Sequence, residues 1–191
     1  MLGKILMGLV VVVAAFVIMV ATRPAEFHIE RSIAVLAPPA SVFTQVNDLH
    51  AWAAWSPWEK LDPKMEKTYG GPPVGPGATY AWKSESGKVG QGRMTIEKSD
   101  APALVVVKLE FIKPFAATNT VTFSFDPAAD GTQVTWAMDG RNAFMGKAFA
   151  LVMNMDKTVG GDFERGLVGL KAVAEAAAKS TAAVAGGGAP Q

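Results

Sequence analysis

Three tryptophans at intervals of three, Trp52, Trp55 and Trp58, stand in the stretch NDLHAWAAWSPWEKLDP (47–63). Rings so spaced serve either as a cage for an organic cation or sugar, or as large apolar plugs at the end of a core. A cage gains from acidic residues interleaved with the rings, and none stands between Trp52 and Trp58. Ser56-Pro57-Trp58-Glu59 has the form of a capping box, with serine as N-cap, proline at the first helical position and glutamate at the third. The spacing then belongs to a tight corner between two helices. Trp52 and Trp55 are expected to plug one end of the interior, with the wall of a ligand pocket as the second reading.

Two charges fall where alternation places apolar residues. Arg31 shares a strand face with Phe27, Ile29, Ile33 and Val35, and Asp156 precedes Phe163 by seven in a helical apolar stripe. A lone charge in an apolar interior is prohibitively costly, so each needs a partner or water. Either the two pair or form the polar end of a pocket, or a strand bulge and a helix kink at Gly160-Gly161 expose both. Tyr80 points inward by the same alternation and offers a hydroxyl to a ligand. His50 lies at the helix corner and reads as a surface or capping residue, and His28 belongs to a wet face. The chain has these two histidines and no cysteine, and GxSxG, HExxH and CxxC are all missing. No catalytic residue, metal site or cofactor is therefore assigned. The glycine-rich runs 70–77 and 84–92 are turns. In the first, Pro76 stands where a phosphate loop needs lysine, and the second lacks a strand-to-helix setting.

A net charge of +1 gives no basic face for nucleic acid. From Ile5 to Ala21 every residue is apolar or glycine, bracketed by Lys4 and Arg23. That length suits a bilayer's hydrocarbon core, so residues 1–24 read as a membrane anchor, spanning through 5–22. A cleaved signal is the rival, although Met19 and Ala21 complete only half of a small-residue cleavage site. Lys4 and the free amine on one side face Arg23 and Arg31 on the other, a near balance of charge, and the orientation expected is the N-terminus inside and the domain outside. The segment 179–191 is small, polar and glycine-rich, and is expected to be a disordered tail.

Between these ends, residues 25–178 form one domain. Period-two alternation marks strands in FHIERSIAV, ATYAW, GRMTIEK, VVVKLEF, VTFSF and VTWAMD, separated by turn-forming glycine, proline and aspartate. One wet and one apolar face describe an antiparallel sheet. Residues 38–49 read as a short helix opened by prolines. Residues 145–178 read as one long helix whose stripe runs through Met145, Phe149, Val152, Val159, Phe163, Leu167, Leu170 and Ala174. The sheet and the long helix must cover one another, which is an α+β arrangement.

That order, together with RSIAVLAPPASVFTQVNDLHAWAAWSPW, NTVTFSF, TQVTWAMDGRN and GGDFERGLVGLK, resembles the helix-grip fold of the START-like, or SRPBCC, superfamily. Within it the chain is most similar to the polyketide cyclase/dehydrase and lipid transport group, and to bacterial membrane-anchored members of it. The resemblance implies a curved sheet gripping the last helix, with a cavity for lipid-like or polyketide-like molecules between them, and carries over no catalytic residue. The expected pocket is lined by Trp82, Met94, Val107, Leu109, Phe123, Trp136, Val152 and Phe163, with Trp52, Trp55, Tyr80, Arg31 and Asp156 as further candidates. The expected function is a membrane-tethered, non-catalytic binding module for a small apolar or amphipathic ligand, on the periplasmic side of a bacterial inner membrane. An enzyme of the cyclase, dehydratase or hydrolase kind in the same cavity, and an interaction domain with a filled one, are the rivals. Oligomeric state is left open.

Overall fold

A computed structural model describes residues 2–87 and 89–186. The apolar N-terminus is a helix, α1 (Leu2–Ala21), exposed along its length except at Val20. After it come β1 (Glu26–Val35), α2 (Pro39–Asn47), α3 (Trp52–Trp55) and a 3-10 turn (Pro57–Lys60). Six strands follow: β2 (Glu66–Gly70), β3 (Thr79–Lys83), β4 (Gln91–Asp100), β5 (Leu104–Lys113), β6 (Ala117–Ala128) and β7 (Gly131–Arg141). The chain closes with α4 (Phe144–Val152) and α5 (Met155–Gly186).

The strands make one antiparallel sheet in the order β1-β7-β6-β5-β4-β3-β2. Alternation placed six of them. The short edge strand β2 carries no apolar alternation and was not anticipated. Extra residues at Glu97 and Ile112 shift the β4–β5 register, and such bulges bend a sheet. On the concave side lies α5, with Phe163, Leu167, Leu170 and Ala174 buried against the apolar face.

The helical end of the chain departs from expectation in three ways. The stripe predicted over 145–178 breaks at Met153-Asn154, where Met153 turns extended and the Asn154 side chain accepts from the Lys157 N–H, opening α5. Met145 and Phe149, counted in that stripe, are exposed on α4, because two helices in sequence continue a 3.6-residue period without sharing an axis. The helix α5 runs unbroken through Gly160-Gly161. A Cβ at Gly160 would meet the Arg31 guanidinium at 2.2 Å, so this glycine is the seat of that side chain. Finally, α5 continues past 178 through Gly186. The alanines of that stretch have the highest helix propensity, which outweighed its small, polar composition. Residues 187–191 of the expected tail lie outside the described residues.

Close approach of α5 is set by its glycines. A Cβ at Gly169 would stand 2.7 Å from the Trp55 carbonyl oxygen, whereas one at Gly161 would meet only Arg165 Nη1 at 3.8 Å. Both changes to alanine gain up to about 1 kcal/mol of helix propensity, but the first overpacks a backbone contact at a cost of about 1–3 kcal/mol. Gly169→Ala is therefore expected to lower the melting temperature of the chain, followed by near-ultraviolet circular dichroism, and Gly161→Ala to leave it unchanged or raised.

Candidate functional site

The interior between sheet and α5 is solid at one end and hollow at the other. Around the ends of β1 and β6, Phe43 meets Phe125 edge-on at 6.0 Å, and Val42, Val46, Leu170 and Ala174 fill the remaining space. An aromatic wall follows. Phe163 stacks on Trp136 at 4.3 Å, and Trp52, Trp58 and Phe123 pack against Trp136 at 6.3, 5.6 and 4.7 Å. Beyond the wall, towards the start of β1 and the end of β7, lies a cavity of about 340 Å³.

Of the sequence candidates, Trp52, Tyr80, Trp82, Met94, Leu109, Trp136 and Phe163 line this cavity. Trp55, Phe123 and Val107 do not. They stand one row behind it in the solid core, because alternation fixes a residue's face but not its depth along the strand. The Val152 side chain lies outside the described residues. Arg31 and Asp156 are also not in the lining. Arg31 bonds both Asp156 carboxylate oxygens at 3.0 and 3.1 Å and Glu164 Oε1 at 2.9 Å. Its β1 partner register runs without a bulge. The two residues pair, one of the arrangements considered from the sequence, with Asp156 in the exposed first turn of α5, and the three groups clasp β1 to that helix. The Arg31 hydrogen bonds hold the Asp156 carboxyl below the ordinary range.

The tryptophan corner has a local cause. Trp52 Nε1 donates to the Val46 carbonyl at 3.0 Å and Trp55 Nε1 to that of Gln45 at 3.1 Å. The two indoles thus satisfy carbonyls that the end of α2 leaves open. The capping box is not formed. Ser56 makes no side-chain cap to the 3-10 turn, and Glu59 reaches elsewhere.

Glu59 is the feature that sequence reading missed. Its side chain is only 7% exposed and lines the cavity beside Ser56. It accepts a hydrogen bond from the Tyr80 hydroxyl at 2.7 Å and forms an ion pair with Lys67 on β2. Burial, then the hydrogen bond to Glu59, raises the Tyr80 pKa well above that of an ordinary phenol. Asn119 is a second omission, in register with Val121, Phe123 and Phe125 on the inward face of β6. It is buried, its Oδ1 lies over Gly140, and its carboxamide has no hydrogen-bond partner among the described residues. A polar residue in an apolar alternation was the signal available for it. His50 stacks on Tyr69 at 3.9 Å and bonds Asp48, outside the cavity lining, and His28 pairs with Asp139 on the exposed face. No cluster of metal-ligating side chains occurs among the described residues. Chemically, the site is an apolar chamber with a carboxylate–phenol pair on one wall and a free carboxamide on another.

The chain has two tyrosines, and burial raises Tyr69 as well. Raised folded values mean that the stability tied to these protons is full below about pH 10 and is lost as pH rises beyond it. Alkaline titration is therefore expected to show less phenolate absorbance near pH 10 than two ordinary tyrosines give, with Tyr80 ionising only as the chain unfolds. A full two-tyrosine step at that pH would mean that Tyr80 does not hold its proton against Glu59 in solution.

The fold and chamber invite comparison with known proteins. The family described as polyketide cyclase / dehydrase and lipid transport matches residues 26–175. No match is found among curated proteins. Among solved structures, the CV1439 protein of Chromobacterium violaceum superposes with a TM-score of 0.57 at 13% identity, covering 78% of this chain and 96% of that one. The SA2116 protein of Staphylococcus aureus gives 0.58 at 14%, covering 82% and 98%. The di-domain ARO/CYC protein BexL of the BE-7585A biosynthetic pathway gives 0.58 at 14%, covering 82% of this chain and 52% of that one. Likeness at these identities concerns the fold: a START-like helix grip. With the family match extending over the whole sheet and most of α5, the chain belongs to the polyketide cyclase / dehydrase and lipid transport family.

Proposed function

We propose that this protein is a membrane-tethered binding module that holds a small apolar or amphipathic molecule, lipid-like or polyketide-like, in the chamber beside the aromatic wall. The observation that carries the reading is the cavity of about 340 Å³, walled mainly by apolar side chains. Its size falls at the lower end of small-molecule sites. Burying apolar ligand surface there supplies affinity, about 25 cal/mol per Å² before the costs of association. Asn119 and the Glu59–Tyr80 pair supply the few polar contacts that orient such a ligand.

Tethering rests on α1, whose 20 residues are long and apolar enough to cross a membrane. The reading is a single-pass protein of a bacterial inner membrane, with the N-terminus inside and the domain in the periplasm. A tether keeps the chamber where apolar molecules partition.

The Glu59–Tyr80–Lys67 cluster favours one alternative, an enzyme acting in the same chamber, since convergent polar groups at one wall are what proton-transfer chemistry requires.

Native mass spectrometry of the full chain, extracted in detergent, is expected to reveal a co-purifying adduct that organic extraction identifies as an amphiphile. Filling the chamber separately by Met94→Phe and Leu109→Trp should remove it while the aromatic circular dichroism persists. A ligand-free mass, with no saturable binding of a fluorescent fatty acid, would reject the binding role. Conversion of the co-purified molecule by the purified chain, abolished in Glu59→Gln, would instead establish the enzyme.

A further inference from the structure

We infer that the rim of the chamber beside α1 is a bilayer-docking surface, so that the chamber fills from the acyl phase of the membrane rather than from water. This rests on the proposal that α1 spans a bilayer.

Six large apolar side chains stand 43–57% exposed at this end of the domain: Ile112 at the end of β5, Phe115 just after it, and Phe144, Met145, Phe149 and Met153 on and just after α4. They come from two segments, yet the Phe115 and Phe149 rings meet at 5.5 Å, so the patch is continuous. Exposed apolar area of this kind marks an interaction surface. Its placement says which one. Each segment is flanked by chamber lining: Phe111 and Ala117 on either side of the β5–β6 turn, Asn142 and Met155 on either side of α4. The patch is therefore the rim of the chamber itself.

Its neighbour is the end of α1. Val20 is fully buried, α1 packs on α4, and Lys147 Nζ of α4 reaches the Ala21 carbonyl at 3.3 Å. Twenty helical residues extend about 30 Å, the thickness of a bilayer's hydrocarbon core. When that core is spanned, Val20 lies at its edge, and α4 cannot be elsewhere than at the interface. Around the rim, Arg23, Lys113 and Arg141 pair with no carboxylate among the described residues, against Glu26 and Glu85 as unpaired acids. Cations in this position favour anionic headgroups. Apolar rim, adjoining span and flanking cations all specify a lipid surface as the occupant, and a chamber rimmed by lipid receives a bilayer-resident amphiphile.

The natural absence of cysteine makes the test direct. Phe115→Cys, Met145→Cys and, at the far β6–β7 turn, Asp130→Cys are each labelled with a fluorophore. The full chain is then reconstituted in phosphatidylcholine–phosphatidylglycerol vesicles. Lipids carrying an acyl-chain nitroxide are expected to quench the labels at 115 and 145 but not at 130, and aqueous iodide to quench 130 alone. Iodide quenching at all three sites overturns the inference, as does protection of 115 and 145 from both quenchers, which would mean that protein covers the patch. Release of the unlabelled chain by alkaline carbonate is scored separately and would reject the span itself. Intact aromatic circular dichroism certifies the fold of each variant. As a second readout, Phe115→Glu with Phe149→Glu should slow uptake of a membrane-borne fluorescent fatty acid and leave uptake from cyclodextrin unchanged. Equal slowing from both sources also overturns it.

Discussion

The stack of Phe163 on Trp136, 4.3 Å between centroids and 9° between planes, is the contact on which the interior depends. It joins the last helix to the midpoint of β7 and fixes how near α5 comes. Everything on one side of it is filled by side chains, and everything on the other side is held open. The surrounding indoles widen that contact into a partition: Trp52 and Trp55 are pinned by hydrogen bonds to α2, and Trp58 leans on both members of the stack. Ring pairs of this kind contribute about 0.5–1.5 kcal/mol each beyond burial. The partition is thus rigid enough to keep a void beside it, where flexible aliphatic side chains would collapse inward.

A second contact holds the same N-terminal part of α5. The Arg31 guanidinium lies against the bare Gly160 backbone and bonds Asp156 and Glu164, holding the first turns of the helix over the hollow half. There the helix has fewer packed neighbours than it has around Leu170. An exposed ion pair contributes little by itself, so this clasp matters chiefly for position.

The strands and the gripping helix were legible because period-two alternation and a 3.6-residue stripe are direct imprints of one-sided burial. Depth was not. Phe123 and Leu109 follow the same rule, yet one closes the core and the other faces the chamber, since the difference arises from where α2 and α3 end. The break at Met153-Asn154 was hidden because α4 carries its own apolar residues in phase with α5, towards a different surface. Glu59 was read as a helix cap on sound local grounds. A tertiary partner, Tyr80, competed for the same carboxylate and won. Asn119 was readable by the logic that singled out Arg31, as a polar residue where alternation demanded an apolar one.

Only Thr22, Arg23, Pro24 and Ala25 separate α1 from β1. Fully extended, such a segment spans about 14 Å, far less than the gap between two membranes. With α1 in a bilayer as proposed, the domain has no reach with which to ferry cargo across an aqueous compartment. Its part in any traffic is that of a fixed station, and whatever takes the molecule onward has to come to it.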